Sequence, residues 1–166
     1  AVIERSGCSL EDPCPFDPNH HSREIERFSE VGSRPTLAEV LLNPTRIYVD
    51  PVVDLILESR REGGIVGPES IKAIAHITGG GLSNLLRLHD RLGWHIEIPL
   101  EPQPEFEWIS EVGSVAPVEM HRTFNMGMGM VIAVSDDSAE VAEEWISNRL
   151  PGSRIVGRVV DNGRLV

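Results

Sequence analysis

The sequence predicts an α+β fold, a layered mixed sheet with helices packed on it. Two observations carry this. From Thr36 onward, segments of alternating or continuous apolar residues take turns with segments of helical periodicity. The segments are also punctuated as separate elements: Thr36 with Glu39 forms a capping box, Pro51 sits in a first turn, and Gly63-Gly64 and Pro151-Gly152 stand past helix ends. With 166 residues, 40% of them apolar, the chain fits one domain with a real core.

Taken in order, Ala1 to Arg5 reads as the last turn of a helix stopped at Gly7. A chain that starts there suggests the C-terminal piece of a longer protein. Ser9 to Ser22, with Pro13, Pro15 and Pro18, reads as an exposed loop carrying free thiols, and Arg23 to Val31 as a weak helix. Residues 1–35 thus form an N-terminal helix end and loop-rich extension, and residues 36–166 the domain proper. Within it, Thr36 opens a helix through Leu42, and Thr45 to Val49 is a β candidate. Asp50 caps a helix with Val52, Val53, Leu55 and Ile56 inward. Ile71 to Ile77 reads as a buried strand. Leu82 to Leu92 is a helix with Leu82, Leu85 and Leu86 on one face, and Trp94, Ile96 and Ile98 form a half-buried strand. Pro104 to Val112 is a helix ended by Gly113, and Phe124 to Val134 a long strand. Ser138 to Leu150 is a helix with Val141, Ala142, Trp145 and Ile146 inward. Ile155 to Val160 and Arg164 to Val166 flank a hairpin signal at Asp161-Asn162-Gly163.

Charge and composition remove several function classes. The chain carries 26 acidic and 15 basic side chains, a formal charge of -11. That balance argues against nucleic-acid binding, which depends on cations at phosphates. No apolar run approaches the roughly 18 residues of a membrane span. Two cysteines are too few for a disulfide framework, so the expectation is a cytoplasmic protein.

The most informative stretch is Ala75-His76-Ile77-Thr78-Gly79-Gly80-Gly81-Leu82-Ser83-Asn84. A strand runs into three glycines and a helix begins at once, so backbone N–H groups can turn toward a ligand. Such a loop suits a phosphate, with Thr78, Ser83 and Asn84 adding side-chain hydrogen bonds; a plain tight turn is the alternative. A second stretch runs from Glu119 to Met130. Read as a strand, it turns Asn125, Gly127 and Gly129 to one side and Met126, Met128 and Met130 to the core. The bare glycine side suits a packed backbone or a ligand. Arg122 at its entry is an anion clamp or the partner of Glu119. Cys8, Cys14, His20 and His21 have the wrong spacing for zinc, and no metal site is expected. His76 reads as a core histidine, with its place beside the glycines as the argument for a site role. No triad, paired-carboxylate motif or nucleotide P-loop is present.

Three strings, Pro44-Thr45-Arg46-Ile47-Tyr48-Val49, Ala75-His76-Ile77-Thr78-Gly79-Gly80-Gly81 and Glu119-Met120-His121-Arg122-Thr123-Phe124-Asn125-Met126-Gly127, together resemble the C-terminal half of the aminoimidazole ribonucleotide (AIR) synthetase family. These enzymes are phosphoribosylformylglycinamidine cyclo-ligases of purine biosynthesis. The resemblance implies an ATP-dependent ligase that closes the imidazole ring of formylglycinamidine ribonucleotide (FGAM). It places ATP and Mg mainly on an N-terminal domain absent from this chain, which would also form a homodimer. It implies that Thr78, Gly79, Gly80, Gly81 and Asn84 grip the substrate phosphate while His76, Arg122, Thr123 and Asn125 line the cleft. No catalytic residue is assigned within the chain, and the chain alone is expected to be inactive. His121 departs from the family pattern, which has tyrosine there. The alternatives are a non-catalytic module or subunit that binds a phosphorylated metabolite, and a superfamily relative with other chemistry, such as selenophosphate synthetase or thiamine-phosphate kinase.

Overall fold

The computed structural model describes residues 1–20, 34–162 and 164–166. They form two compact units: Ala1–Arg46 with Pro102–Met120, and Ile47–Glu101 with His121–Val166. No helix among the described residues is long and apolar enough to cross a membrane.

The first unit is built on short helices. Helix α1 (Val2–Ser6) ends at Gly7, which takes the left-handed conformation (φ 70°) that terminates helices. Arg5 donates to the carbonyl of Gly113 at 2.8 Å. The capping box forms as the sequence predicts: the Thr36 hydroxyl accepts from the Glu39 amide, and the Glu39 carboxylate accepts from the Thr36 amide, opening α2 (Leu37–Leu41). Residues 8–20 contain neither helix nor strand, yet they do not hang free. The Cys14 amide donates to Pro35, and the amides of Leu37 and Ala38 donate to Asp12 and Leu10. Cys14 is in consequence fully buried, which corrects the expectation of two exposed thiols. The Arg23–Val31 helix expectation lies outside the described residues. Helix α4 (Pro104–Gly113) starts at the predicted proline but runs through Gly113, the predicted stop, and Ser114 takes the left-handed cap instead; Trp108 is buried, its ring tilted against that of Phe16 at 5.6 Å between centroids. Helix α5 (Pro117–Thr123) begins in this unit, and its last three residues belong to the second.

The second unit contains the sheets. Helix α3 (Val49–Arg60) buries Val52, Leu55 and Ser59, leaving Val53 on its outer face. It begins a residue before Asp50, with Tyr48 as its N-cap, and no strand forms over Thr45–Val49. The β-branched run there is local propensity only; it finds no partner edge, and the chain is already entering a helix. Strand β1 (Ile71–His76) pairs antiparallel with β3 (Met130–Val134), Ile74 opposite Ile132 and His76 opposite Met130. Strand β2 (Gly93–Ile96) pairs antiparallel with β4 (Gly157–Val160). The expected single mixed sheet is therefore two antiparallel pairs among the described residues.

Three further expectations change. Leu82–Leu92 is not an α-helix but a 3-10 helix, Gly81–Arg87. Its three-residue turn aligns Leu82, Leu85 and Leu88, so Leu86 faces outward. The long strand shrinks to Met130–Val134, because Met126 (φ 47°) and Gly127 (φ 90°) break extended backbone, and Asn125 Oδ1 accepts from the Gly127 amide at 3.1 Å. The C-terminal hairpin does not close on itself. β4 and the last residues bond to opposite edges of β2, with the Trp94 amide donating to Arg164 and the Val166 amide to the Trp94 carbonyl. Gly93 has no room for a side chain there, because a Cβ would meet the Asn162 side chain and the Arg164 backbone.

One core cluster joins Ala75, Ile77, Leu82, Leu85, Trp94 and Met128. A second joins Leu55, Val66, Ala142, Ile146 and Leu150, with Ala142 and Ile146 supplied by helix α6 (Ala139–Ser147) as predicted. Trp145 packs partly against this cluster, whereas Val141 turns outward. The first cluster lies directly under the glycine loop.

Candidate functional site

Strand β1 delivers the chain to the loop. Ile77 is buried and its amide donates to Gly129, which extends the pairing with the β3 side by one step. Thr78 and Gly79 then emerge at the surface. The Thr78 carbonyl accepts from the Gly81 amide at 3.0 Å, closing a tight turn. Gly80 (φ 97°) and Gly81 (φ 55°) both occupy the left-handed region, which costs a side-chain-bearing residue about 1–2 kcal/mol.

The carbonyls of the loop are held from below. Asn84, buried in the 3-10 helix, donates its amide hydrogens to Gly81 at 2.5 Å and Gly79 at 3.3 Å. The Ser83 hydroxyl donates to Gly80 at 2.6 Å. With the carbonyls engaged, the amides of Gly79 and Gly80 have no acceptor among the described residues. The three glycines thus do different things. Gly79 and Gly80 present open donors, while the Gly81 amide is used inside the turn.

Gly81 also joins two sequence stretches. A Cβ there would fall 2.6 Å from the Phe124 carbonyl oxygen and against that of His121. Only a glycine lets the loop lie on the backbone of 121–124, which carries Arg122 and Thr123, both exposed, beside it. Asn125 sits at the following turn, half-buried, with its side-chain oxygen committed to Gly127. His76, at the end of β1, is exposed rather than in the core, because its two-stranded sheet leaves that face uncovered. Its ring lies 5.9 Å from that of Tyr48. The ring of Tyr48 in turn covers Gly129, where any Cβ would strike the phenol. That contact answers why Gly129 is bare: a packed side chain fills the space.

The second unit therefore gathers part of each of the three motif strings: Tyr48, the His76–Gly81 segment, and 121–125. Sequence reasoning missed two residues. Tyr48 was concealed in an apparent strand. Arg87, whose Nη2 would lie 3.9 Å from a Cβ on Gly80, was concealed in an apparent α-helix. The spacing 81, 84, 87 was the available signal, since residues three apart align in a 3-10 helix. Among the described residues no three His, Cys, Asp or Glu side chains gather to hold a metal ion, and neither Cys8 nor Cys14 is in a disulfide.

A glycine-rich loop with two open amides, on an α+β unit, is the class of site that the geometry defines. The family model described as "AIR synthase related protein, C-terminal domain" matches residues 19–166, and the chain belongs to that family. It is 42% identical over 141 residues to a protein of Methanopyrus kandleri, covering 85% of this chain and 37% of the relative. To a protein of Methanosarcina acetivorans it is 37% identical over 162 residues, 98% of this chain and 39% of the relative. A Methanocaldococcus jannaschii protein is 39% identical over 160 residues, 96% of this chain and 42% of the relative. Each of the three is named phosphoribosylformylglycinamidine cyclo-ligase. The chain spans about two fifths of the length of these relatives.

Proposed function

We propose that this chain is the substrate-side half of a phosphoribosylformylglycinamidine cyclo-ligase, and that it holds the ribose phosphate of FGAM while ATP drives closure of the imidazole ring to AIR. The observation that carries the reading is the pair of open amides at Gly79 and Gly80, whose carbonyls are tied back by Ser83 and Asn84. Family membership and the names of the relatives point the same way.

In this reading the Gly79 and Gly80 amides and the Thr78 hydroxyl contact the phosphate. Gly81 and Asn84 keep the loop in shape, and His76, Arg122, Thr123 and Asn125 line the substrate side of the cleft. ATP and Mg belong to the N-terminal domain of the intact, homodimeric, cytoplasmic enzyme. Among the described residues no three His, Cys, Asp or Glu side chains gather into a site for the ion. The division of the chain into a 1–35 extension and a 36–166 domain belongs to the same proposal, with the Thr36 cap as its support. The charge of -11 argues against a nucleic-acid partner, and no helix among the described residues is long and apolar enough to cross a membrane.

Two measurements test this. Ribose 5-phosphate titrated into the ¹⁵N-labelled chain is expected to shift the Gly79 and Gly80 amide resonances first; no shift there refutes the phosphate role. The chain alone is expected to form no AIR from FGAM and ATP, and to do so when mixed with a separately prepared ATP-binding half. Failure despite a demonstrated complex favours a non-catalytic binding module.

A further inference from the structure

We propose that Arg87 is the specificity-determining residue of the glycine loop, its guanidinium selecting a phosphate monoester dianion over a singly charged anion. This rests on the reading that Gly79 and Gly80 hold a phosphate, and adds the group that senses ligand charge. Backbone amides are neutral donors. They orient an anion but discriminate weakly between one negative charge and two, so a formal cation must supply that preference.

Arg87 is placed to do so. The three-residue repeat of the 3-10 helix aligns Gly81, Asn84 and Arg87. Asn84, buried, fastens the loop from beneath. Arg87, one turn further on, is exposed and brings Nη2 to 3.9 Å from the position of a Gly80 Cβ, next to the open amides. Among the described residues Arg87 makes no hydrogen bond or ion pair. An exposed arginine with no acid partner among the described residues, in a chain with eleven excess negative charges, keeps its fork of donors for an incoming anion. Arg122, the cation that the sequence singles out, already interacts with another group.

The test is a titration of the ¹⁵N-labelled 166-residue chain with ribose 5-phosphate and, separately, with dimethyl phosphate, which carries one charge. The wild-type chain is expected to bind the monoester roughly tenfold or more tightly than the diester, through shifts at Gly79 and Gly80. Arg87→Gln is expected to lower monoester affinity roughly 10- to 100-fold and to abolish the preference, with the unliganded Gly79 and Gly80 resonances unmoved. Arg87→Lys, which keeps the charge but not the fork, is expected to restore part of the preference. Wild-type affinity and preference in Arg87→Gln, with Gly79 and Gly80 still shifting, overturn the role of Arg87 and leave the loop reading standing. A lysine variant that restores no preference overturns charge selection. Absence of any shift at Gly79 and Gly80 in the wild type removes the loop reading itself, and Arg87 with it.

Discussion

Replacing Gly81 with alanine separates loop architecture from loop chemistry. The added Cβ would meet the carbonyl oxygens of His121 and Phe124, both backbone atoms that cannot swing aside. The residue would also hold φ 55°, where an L-side chain is strained. The left-handed conformation costs about 1–2 kcal/mol and overpacking about 1–3 kcal/mol, so the loss is expected to be about 2–5 kcal/mol. That is a large share of the roughly 5–15 kcal/mol typical of a domain. Gly79→Ala is the control: its Cβ would have nothing within 4 Å and its φ is not positive, so its effect is expected to stay within about 0.5 kcal/mol. Urea denaturation followed by circular dichroism and tryptophan fluorescence measures both. Equal stability of the two variants would show that the loop does not rest on the 121–124 backbone, and the assembly of the site described above would be wrong.

Other perturbations probe the supports around it. Asn84→Ala leaves the Gly79 and Gly81 carbonyls without their donor; a loss of about 1–3 kcal/mol is expected, with faster amide exchange at Gly79 and Gly80 as the local readout. Gly129→Ala forces the Tyr48 phenol off its seat, and the His76 ring resonances are expected to move with it, at a stability cost of about 1–3 kcal/mol. The Ser135 hydroxyl, then that of Ser138, holds the Asp137 carboxyl below the ordinary aspartate range. A lowered folded-state value means that this contribution to stability is present above the unfolded value of about 3.9 and is lost as pH falls through the folded one. Ser135→Ala is expected to raise the Asp137 value, read by carboxyl NMR titration, and to flatten that acid-side dependence; an unchanged titration would rule out the hydroxyl as its cause.

Where neighbours three or four residues apart decide the geometry, the structure could be read from the sequence. The Thr36–Glu39 box, the Gly7 stop and the start of α4 at Pro104 are of this kind, as are the inward pairs Leu82 and Leu85, and Ala142 and Ile146. Each needs only its own turn of chain. The extended runs Thr45–Val49 and Phe124–Met130 misled, because strand propensity is realised only where an edge is available to pair. Tyr48 settles on Gly129, and Asn125 binds Gly127, so the first run joins no ladder and the second joins one only at its end, from Met130. The site shows the same division. The glycine loop between strand and helix was legible, and Thr78 to Asn84 stand in it. The exposure of His76 and the placement of Arg87 beside Gly80 were not, since both depend on what covers a face rather than on spacing.

The sequence by itself determined that a strand would end in three glycines and turn at once into a helix, and that the chain would be acidic and family-typical in three strings. Only the tertiary structure decided which glycine packs and which two keep open amides. Room for a Cβ and a partner for an N–H are set by segments distant along the chain, here the backbone of 121–124 and the side chains of Ser83 and Asn84.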